Sequence, residues 1–76
     1  MSVQVKMLFS ESAFSALRRT PRDFAKEMRV AAAVKWYEAG VVSQGKAAEL
    51  AGLSRASFLE ALSRFKVSPF QYETGN

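Results

Sequence analysis

Apolar side chains recur at helical spacing along most of the chain, and beyond residue 20 this pattern predicts three helices. The longest should run from Pro21 to Ala39 and stop at Gly40, after a hydroxyl cap at Thr20. Its apolar positions form two faces, so this helix should pack against more than one neighbour. The first face holds Phe24, Met28, Ala31, Ala32 and Trp36, and the second holds Val30, Val34 and Tyr37.

Two short helices separated by a glycine follow, and residues 43–65 therefore predict a helix-turn-helix. Gly52 lies where the turn needs a positive φ. Ala48 is small enough to let the helices cross closely, and Phe58 should fill the angle between them. Helix pairs that only pack together show the same pattern. A helix-turn-helix that serves packing alone and does not bind DNA is therefore the alternative. The remaining inward positions are Ala47, Ala51, Leu53, Ala61 and Leu62, and the predicted caps are Ser43 and Ser54.

Ahead of the long helix, apolar and polar residues alternate over residues 3–9, which predicts a short strand. One strand cannot pair its own backbone groups, so it should pair with the same strand of a second subunit. A disordered arm is the alternative. A short helix should then begin after Ser10 and end near Arg19, with Phe14 and Leu17 turned inward.

The last ten residues lose helical character at Pro69 and carry two aromatic side chains, Phe70 and Tyr72. They should either fold back on the core or form an arm that docks on a partner. The chain is thus predicted to be one mainly α domain, with a strand or dimerisation arm at 1–9, helices at 10–40, the helix-turn-helix at 43–65 and a tail at 66–76. The predicted core is Phe14, Leu17, Phe24, Met28, Trp36, Leu50, Leu53, Phe58 and Leu62.

The composition of the chain predicts a partner protein and excludes most catalytic and metal-binding sites. The chain has 76 residues, 49% of them hydrophobic, with no cysteine and no histidine. A lone core of this size is marginal, so the apolar surplus predicts a homodimer or a larger complex. The usual zinc sites and nucleophile–base pairs are excluded and the carboxylates are scattered, so neither an enzyme nor a cofactor is predicted. No signal peptide or long apolar run is seen, which predicts a cytoplasmic protein without membrane contact.

The net charge of +4 favours nucleic acid or an acidic partner. Residues 40–46, GVVSQGK, match the first seven positions of a phosphate-binding P-loop. The eighth position is Ala47 instead of Ser or Thr, and a helix precedes the motif, so no nucleotide site is predicted. The basic surplus lies ahead of the helix-turn-helix, where a solvated face is the commoner interpretation. It comprises Arg18, Arg19, Arg22, Lys26 and Arg29.

The first of two candidate DNA readers is the last helix, whose N-terminus would enter the major groove. Arg55 and Ser57 would reach base edges and Ala56 a thymine methyl. Glu60 on the same side would repel the DNA backbone unless Arg64 neutralises it. The predicted DNA-binding residues are Gln44, Lys46, Ser54, Arg55, Ala56, Ser57, Arg64 and Lys66, the last two on phosphate.

The second candidate reader is the paired N-terminal strands, lying in the groove as a ribbon with Gln4 and Lys6 toward the bases. The cap at Thr20 would then hold a phosphate at a helix N-terminus. Strand, helix, helix is the order of a ribbon-helix-helix dimer, although the first helix is short for that fold. An RNA-binding role is disfavoured because no exposed aromatic platform is evident.

Four stretches carry a resemblance to a known family: RVAAAVKWYEAG at 29–40, SQGKAAELAGLSR at 43–55, Phe58-Leu59, and VSPFQY at 67–72. They resemble a family of small prokaryotic helix-turn-helix proteins, long described as uncharacterised and regarded as Vap-type antitoxins of PIN-domain toxins. The resemblance implies a homodimer that binds operator DNA, represses its own operon and neutralises a PIN-domain ribonuclease toxin encoded beside it. The tail would then offer Pro69, Phe70 and Tyr72 to the toxin. A protein-interaction module that does not bind DNA is the competing interpretation.

Overall fold

The computed structural model describes residues 1–70, and in this range the chain is mainly helical. Each helix begins at a hydroxyl N-cap whose side-chain oxygen accepts a backbone N–H three residues later. The helices beyond residue 20 and all four caps are confirmed. None of the helices in this range is long and apolar enough to cross a membrane. The helices are α1 (Glu11–Ser15), α2 (Pro21–Glu38), α3 (Gln44–Ala51) and α4 (Arg55–Arg64), with caps at Ser10, Thr20, Ser43 and Ser54.

The three longer helices end in the same backbone motif. One residue just past each helix adopts a left-handed conformation: Gly40, Gly52 and Lys66, with φ of 79°, 73° and 59°. The following N–H returns to a carbonyl five residues back, as in Leu53 N–H to Ala48 O at 3.0 Å. This Schellman arrangement satisfies carbonyls that the helix leaves unpaired. The turn predicted at Gly52 is confirmed.

Helix α2 packs against both α3 and α4, which also contact each other. Small residues dominate the buried surface of α3, and this lets helix backbones approach closely. Phe58 and Leu62 of α4 are the largest side chains that are fully buried. The core consists of Val30, Ala33, Val34, Tyr37, Ala47, Ala48, Ala51, Phe58, Ala61, Leu62 and Val67.

The predicted core is wrong at three positions, because Leu17, Trp36 and Leu50 keep 52%, 45% and 39% of their surface exposed. On α2 the second predicted face is the buried one, and the face with Phe24, Met28 and Trp36 is at most half-buried. A prediction of the core from side-chain hydrophobicity places large apolar residues first. Closely crossing helices instead bury alanines, which a hydrophobicity ranking places lower.

The predicted strand over residues 3–9 is not formed, since residues 1–10 contain no helix or strand. Val3, Val5 and Met7 are 89%, 73% and 56% exposed. A strand exists only through hydrogen bonds to a neighbour, and residues 1–70 contain no second strand. Within residues 1–70 the alternating segment therefore has no strand to pair with.

Helix α1 is shorter than predicted, because it ends at Ser15 and Arg18 takes a φ of 53°. Its Phe14 lies edge-on to Phe24 of α2, with ring centroids 5.1 Å apart. Phe9 approaches the same Phe24 ring at 4.8 Å. These aromatic contacts attach the N-terminal segment to the first half of α2.

Replacing Gly52 with alanine is expected to lower the free energy of unfolding by about 1–2 kcal/mol. A Cβ is disfavoured at a φ of +73° and would lie 3.3 Å from the Arg29 guanidinium. Gly45→Ala is the matched control, because the Cβ position there is open and alanine favours helix α3 by about 0.5–1 kcal/mol. Urea denaturation followed by circular dichroism measures both variants. Equal changes in the two would contradict a strained turn at Gly52.

Candidate nucleic-acid interface

A side-chain hydrogen bond joins the first residues of α3 and α4. Arg55 Nε donates to Gln44 Oε1 at 2.9 Å, so two helix N-termini meet at one place on the surface. Neither helix has an acidic residue in its first turn, whereas α1 has Glu11 and α2 has Asp23. The partial positive charge of both N-termini therefore lacks a carboxylate in the first turn, an arrangement that favours phosphate.

The amide of Gln44 has its orientation determined by its partners. The Arg55 Nε–H can only donate, so the amide oxygen must face it. The amide nitrogen then donates to the Tyr37 hydroxyl at 3.2 Å and to the Pro69 carbonyl at 3.1 Å. Tyr37 donates its own hydroxyl hydrogen to the same carbonyl at 2.8 Å. This network connects α2, α3, α4 and the start of the tail.

Most of the predicted DNA-binding residues are brought together by the helix-turn-helix. Lys46 forms an exposed ion pair with Glu49 at 2.9 Å, and a pair of this kind contributes little free energy, so its ammonium group stays available. Ser54 Oγ accepts the Ser57 N–H at 3.1 Å and is thus used as the cap of α4. The clustered residues are Gln44, Lys46, Ser54, Arg55, Ala56 and Ser57.

Arg64 and Lys66 lie apart from that cluster, at the other end of α4. Arg64 is nine residues beyond Arg55, about 14 Å along the helix axis. Its guanidinium lies 5.7 Å from the Phe65 ring centroid. The Glu60–Arg64 pair that would offset the repulsion between Glu60 and the DNA backbone is not among the ion pairs formed within residues 1–70. Arg64 instead borders a groove of about 280 Å³ that α2 also lines.

The basic cluster of the first half of the chain is partly used to hold the fold. Arg29 Nε donates to the Leu50 carbonyl at 3.0 Å, near the C-terminus of α3, where a cation is favourable. Arg19 is paired with Glu27 at 3.0 Å. The roles of Arg29 and Tyr37 were not predicted from the sequence, and no local motif indicates them, because their partners lie on other elements.

The remaining candidate residues lie outside this cluster. Gln4 and Lys6 belong to the exposed segment 1–10, which forms no ribbon in the single chain. In the tail, Pro69 contributes its carbonyl to the network, and Phe70 is 74% exposed. Tyr72 lies outside the described residues.

The chain is similar to a curated protein and to a protein family. A UPF0175 protein from Aeropyrum pernix is 44% identical over 48 residues, which cover 63% of this chain and 54% of that protein. The chain thus spans about half the length of the curated relative that it matches. No solved structure matches it. Residues 1–76 match the family described as an uncharacterised protein family, UPF0175. The chain therefore belongs to the UPF0175 family.

Proposed function

We propose that this chain is a non-enzymatic, DNA-binding regulator of the antitoxin class, which represses its own operon and neutralises a PIN-domain ribonuclease toxin. The DNA-binding part rests on one observation: the N-termini of α3 and α4 meet through the Gln44–Arg55 hydrogen bond, without acidic residues in their first turns. The toxin-binding part rests on the resemblance of residues 29–40, 43–55, 58–59 and 67–72 to antitoxins.

In this proposal the first turn of α4 enters the major groove, with Arg55 and Ser57 at base edges and Ala56 against a thymine methyl. Lys46 and the N-terminus of α3 contact phosphate on one side of the groove. Arg64 and Lys66, which lie about 14 Å farther along the axis of α4 than Arg55, contact phosphate.

Amide chemical-shift mapping tests this proposal. The ¹⁵N-labelled protein is titrated with a duplex from just upstream of its own gene, and a scrambled duplex is the control. We expect the largest perturbations at residues 44–46 and 54–57. Perturbations centred on Gln4 and Lys6 would favour the strand reader instead. No perturbation beyond that given by the scrambled duplex would overturn the DNA-binding proposal.

The competing function is a protein-interaction module that does not bind DNA, and the exposed apolar side chains favour it. Trp36 and Val41 are 45% and 67% exposed, and the N-terminal segment adds further apolar surface. A homodimer would cover part of this surface without excluding DNA binding. We therefore include dimerisation through residues 3–9 in the proposal.

Val5→Asp is expected to convert the dimer into monomers. In a paired strand Val5 lies on the same face as Val3 and Met7, and a charge there would be buried between the subunits. Gln4→Asp places the same charge on the opposite, polar face and is the matched control. Sedimentation equilibrium measures both variants. A wild-type protein that stays monomeric at every concentration tested would contradict dimerisation.

The double replacement of Phe70 and Tyr72 by alanine is expected to abolish toxin binding and spare DNA binding. It keeps Val67, which is buried, and Pro69, whose carbonyl accepts two hydrogen bonds, so the fold stays intact. Val41→Ala, at an exposed apolar residue outside the tail, is the control. Co-purification with the PIN-domain protein encoded beside the gene is the measurement. Undiminished toxin capture by the double variant would show that the tail is not the anchor.

A further inference from the structure

We infer that Gln44 is a positioning residue, which holds Arg55 so that its two terminal nitrogens face outward to bind a guanine base. This inference rests on the proposed DNA-binding function and specifies the base that is read. It also changes the role of Gln44, which is otherwise predicted to contact DNA itself. Gln44 would act through Arg55 instead.

The hydrogen-bond donors of the Arg55 guanidinium are divided between two edges of the group. Its Nε–H is used by Gln44 Oε1 at 2.9 Å. Within residues 1–70 the terminal nitrogens Nη1 and Nη2 have no protein partner, and Arg55 is exposed. The edge formed by these two nitrogens presents parallel N–H groups. The Nε side of the Arg55 guanidinium is thus held by Gln44, and the edge formed by Nη1 and Nη2 is available to a ligand.

Gln44 is itself held in place by two further hydrogen bonds. Its amide nitrogen donates to the Tyr37 hydroxyl and the Pro69 carbonyl, so rotating the amide would break both hydrogen bonds. Tyr37 is only 7% exposed and lies edge-on to the buried Phe58, with ring centroids 6.0 Å apart. Tyr37, one of the two partners of the Gln44 amide nitrogen, is therefore fixed in the core. The hydrogen bond to Gln44 restrains Arg55 in the absence of DNA, so less side-chain entropy is lost on binding.

The edge of Arg55 formed by Nη1 and Nη2 matches one base better than the others. In the major groove guanine presents two adjacent acceptors, O6 and N7, which suit two parallel donors. Adenine pairs an acceptor with a donor, and thymine offers one acceptor beside a methyl group. The two parallel donors of Arg55, at the first position of α4, would therefore select guanine. A phosphate also accepts a bidentate arginine, and the experiment separates these two targets.

The experiment is selection from a pool of duplexes with randomised central positions, followed by sequencing of the bound fraction. The wild type is expected to enrich guanine at one position in each half-site, and Arg55→Ala to lose that preference by about ten- to a hundredfold. Gln44→Met keeps the side-chain length, removes both polar groups and should lower the same preference. Tyr37→Phe should lower it less. Lys46→Ala is the control, expected to weaken all sequences equally.

Each outcome decides a different point. If Gln44→Met weakens all sequences equally and leaves the guanine preference intact, Gln44 is not a positioning residue. If Arg55→Ala keeps the preference, Arg55 contacts phosphate and the inference fails while DNA binding stands. If the wild type enriches no sequence, the proposed DNA-reading function fails with it. Circular dichroism of every variant confirms that the fold is retained before binding is compared.

Discussion

Replacing Phe58 with alanine is expected to leave most of the protein molecules unfolded at room temperature. The ring has no exposed surface and lies in the angle between the helices, edge-on to Tyr37. Removing a buried phenyl group loses its burial and leaves a cavity, at a cost of about 3–5 kcal/mol. A core in a chain of 76 residues supplies a net stability of similar size. Urea denaturation followed by circular dichroism measures the loss.

Phe65→Ala is the matched control for this experiment. Phe65 follows the same helix, but its side chain keeps 38% of its surface exposed, so the same substitution should cost much less. Phe58→Leu refills most of the cavity and should restore a folded protein of reduced stability. A Phe58→Ala variant as stable as Phe65→Ala would contradict the packing described for the helix-turn-helix.

Arg55→Ala is expected to weaken specific DNA binding by about 1–3 kcal/mol and to leave the fold intact. Arg55 is exposed at the first position of α4, and its one hydrogen bond within residues 1–70 is to Gln44. Loss of its base contact should lower the affinity for the specific duplex and hardly change the affinity for a scrambled duplex. Titration of both duplexes, together with a thermal melt of the variant, provides the measurement.

Lys35→Ala removes the same charge from α2 and serves as the control for Arg55→Ala. Lys35 is exposed, is paired with Glu38 and lies outside the predicted DNA-binding set. Its loss should change affinity for both duplexes slightly and to the same extent. If the two variants behave alike, Arg55 contributes charge and no base recognition.

Local features of this fold could be predicted from the sequence because their partners are close in the chain. Ser43 and Ser54 cap N–H groups three residues away, and Gly52 closes a turn between adjacent helices. The burial of Ala47 and Ala51 on α3 follows from the same helical spacing, although Leu50 on that helix was wrongly predicted to be buried. Such contacts depend on short-range hydrogen bonds and periodicity, which the sequence shows without the fold.

The remaining features depend on contacts between distant segments. Tyr37 meets the Pro69 carbonyl 32 residues later, and Arg29 meets the Leu50 carbonyl 21 residues later. Neither contact has a local signature. The burial of Ala33 and the exposure of Trp36 depend on how closely α2 approaches its neighbours. The alternation of residues 3–9 indicates a strand, but pairing requires a second strand, and residues 1–70 contain none.

The first measurement to make is fluorescence anisotropy of a labelled duplex from just upstream of the gene, compared with a scrambled duplex over a series of salt concentrations. The proposed function predicts tighter binding to the upstream duplex. It also predicts that the logarithm of the association constant falls linearly with the logarithm of salt concentration, by about 0.9 for each phosphate neutralised. Equal, weak binding to both duplexes that vanishes at physiological salt would contradict a DNA-reading role for α3 and α4.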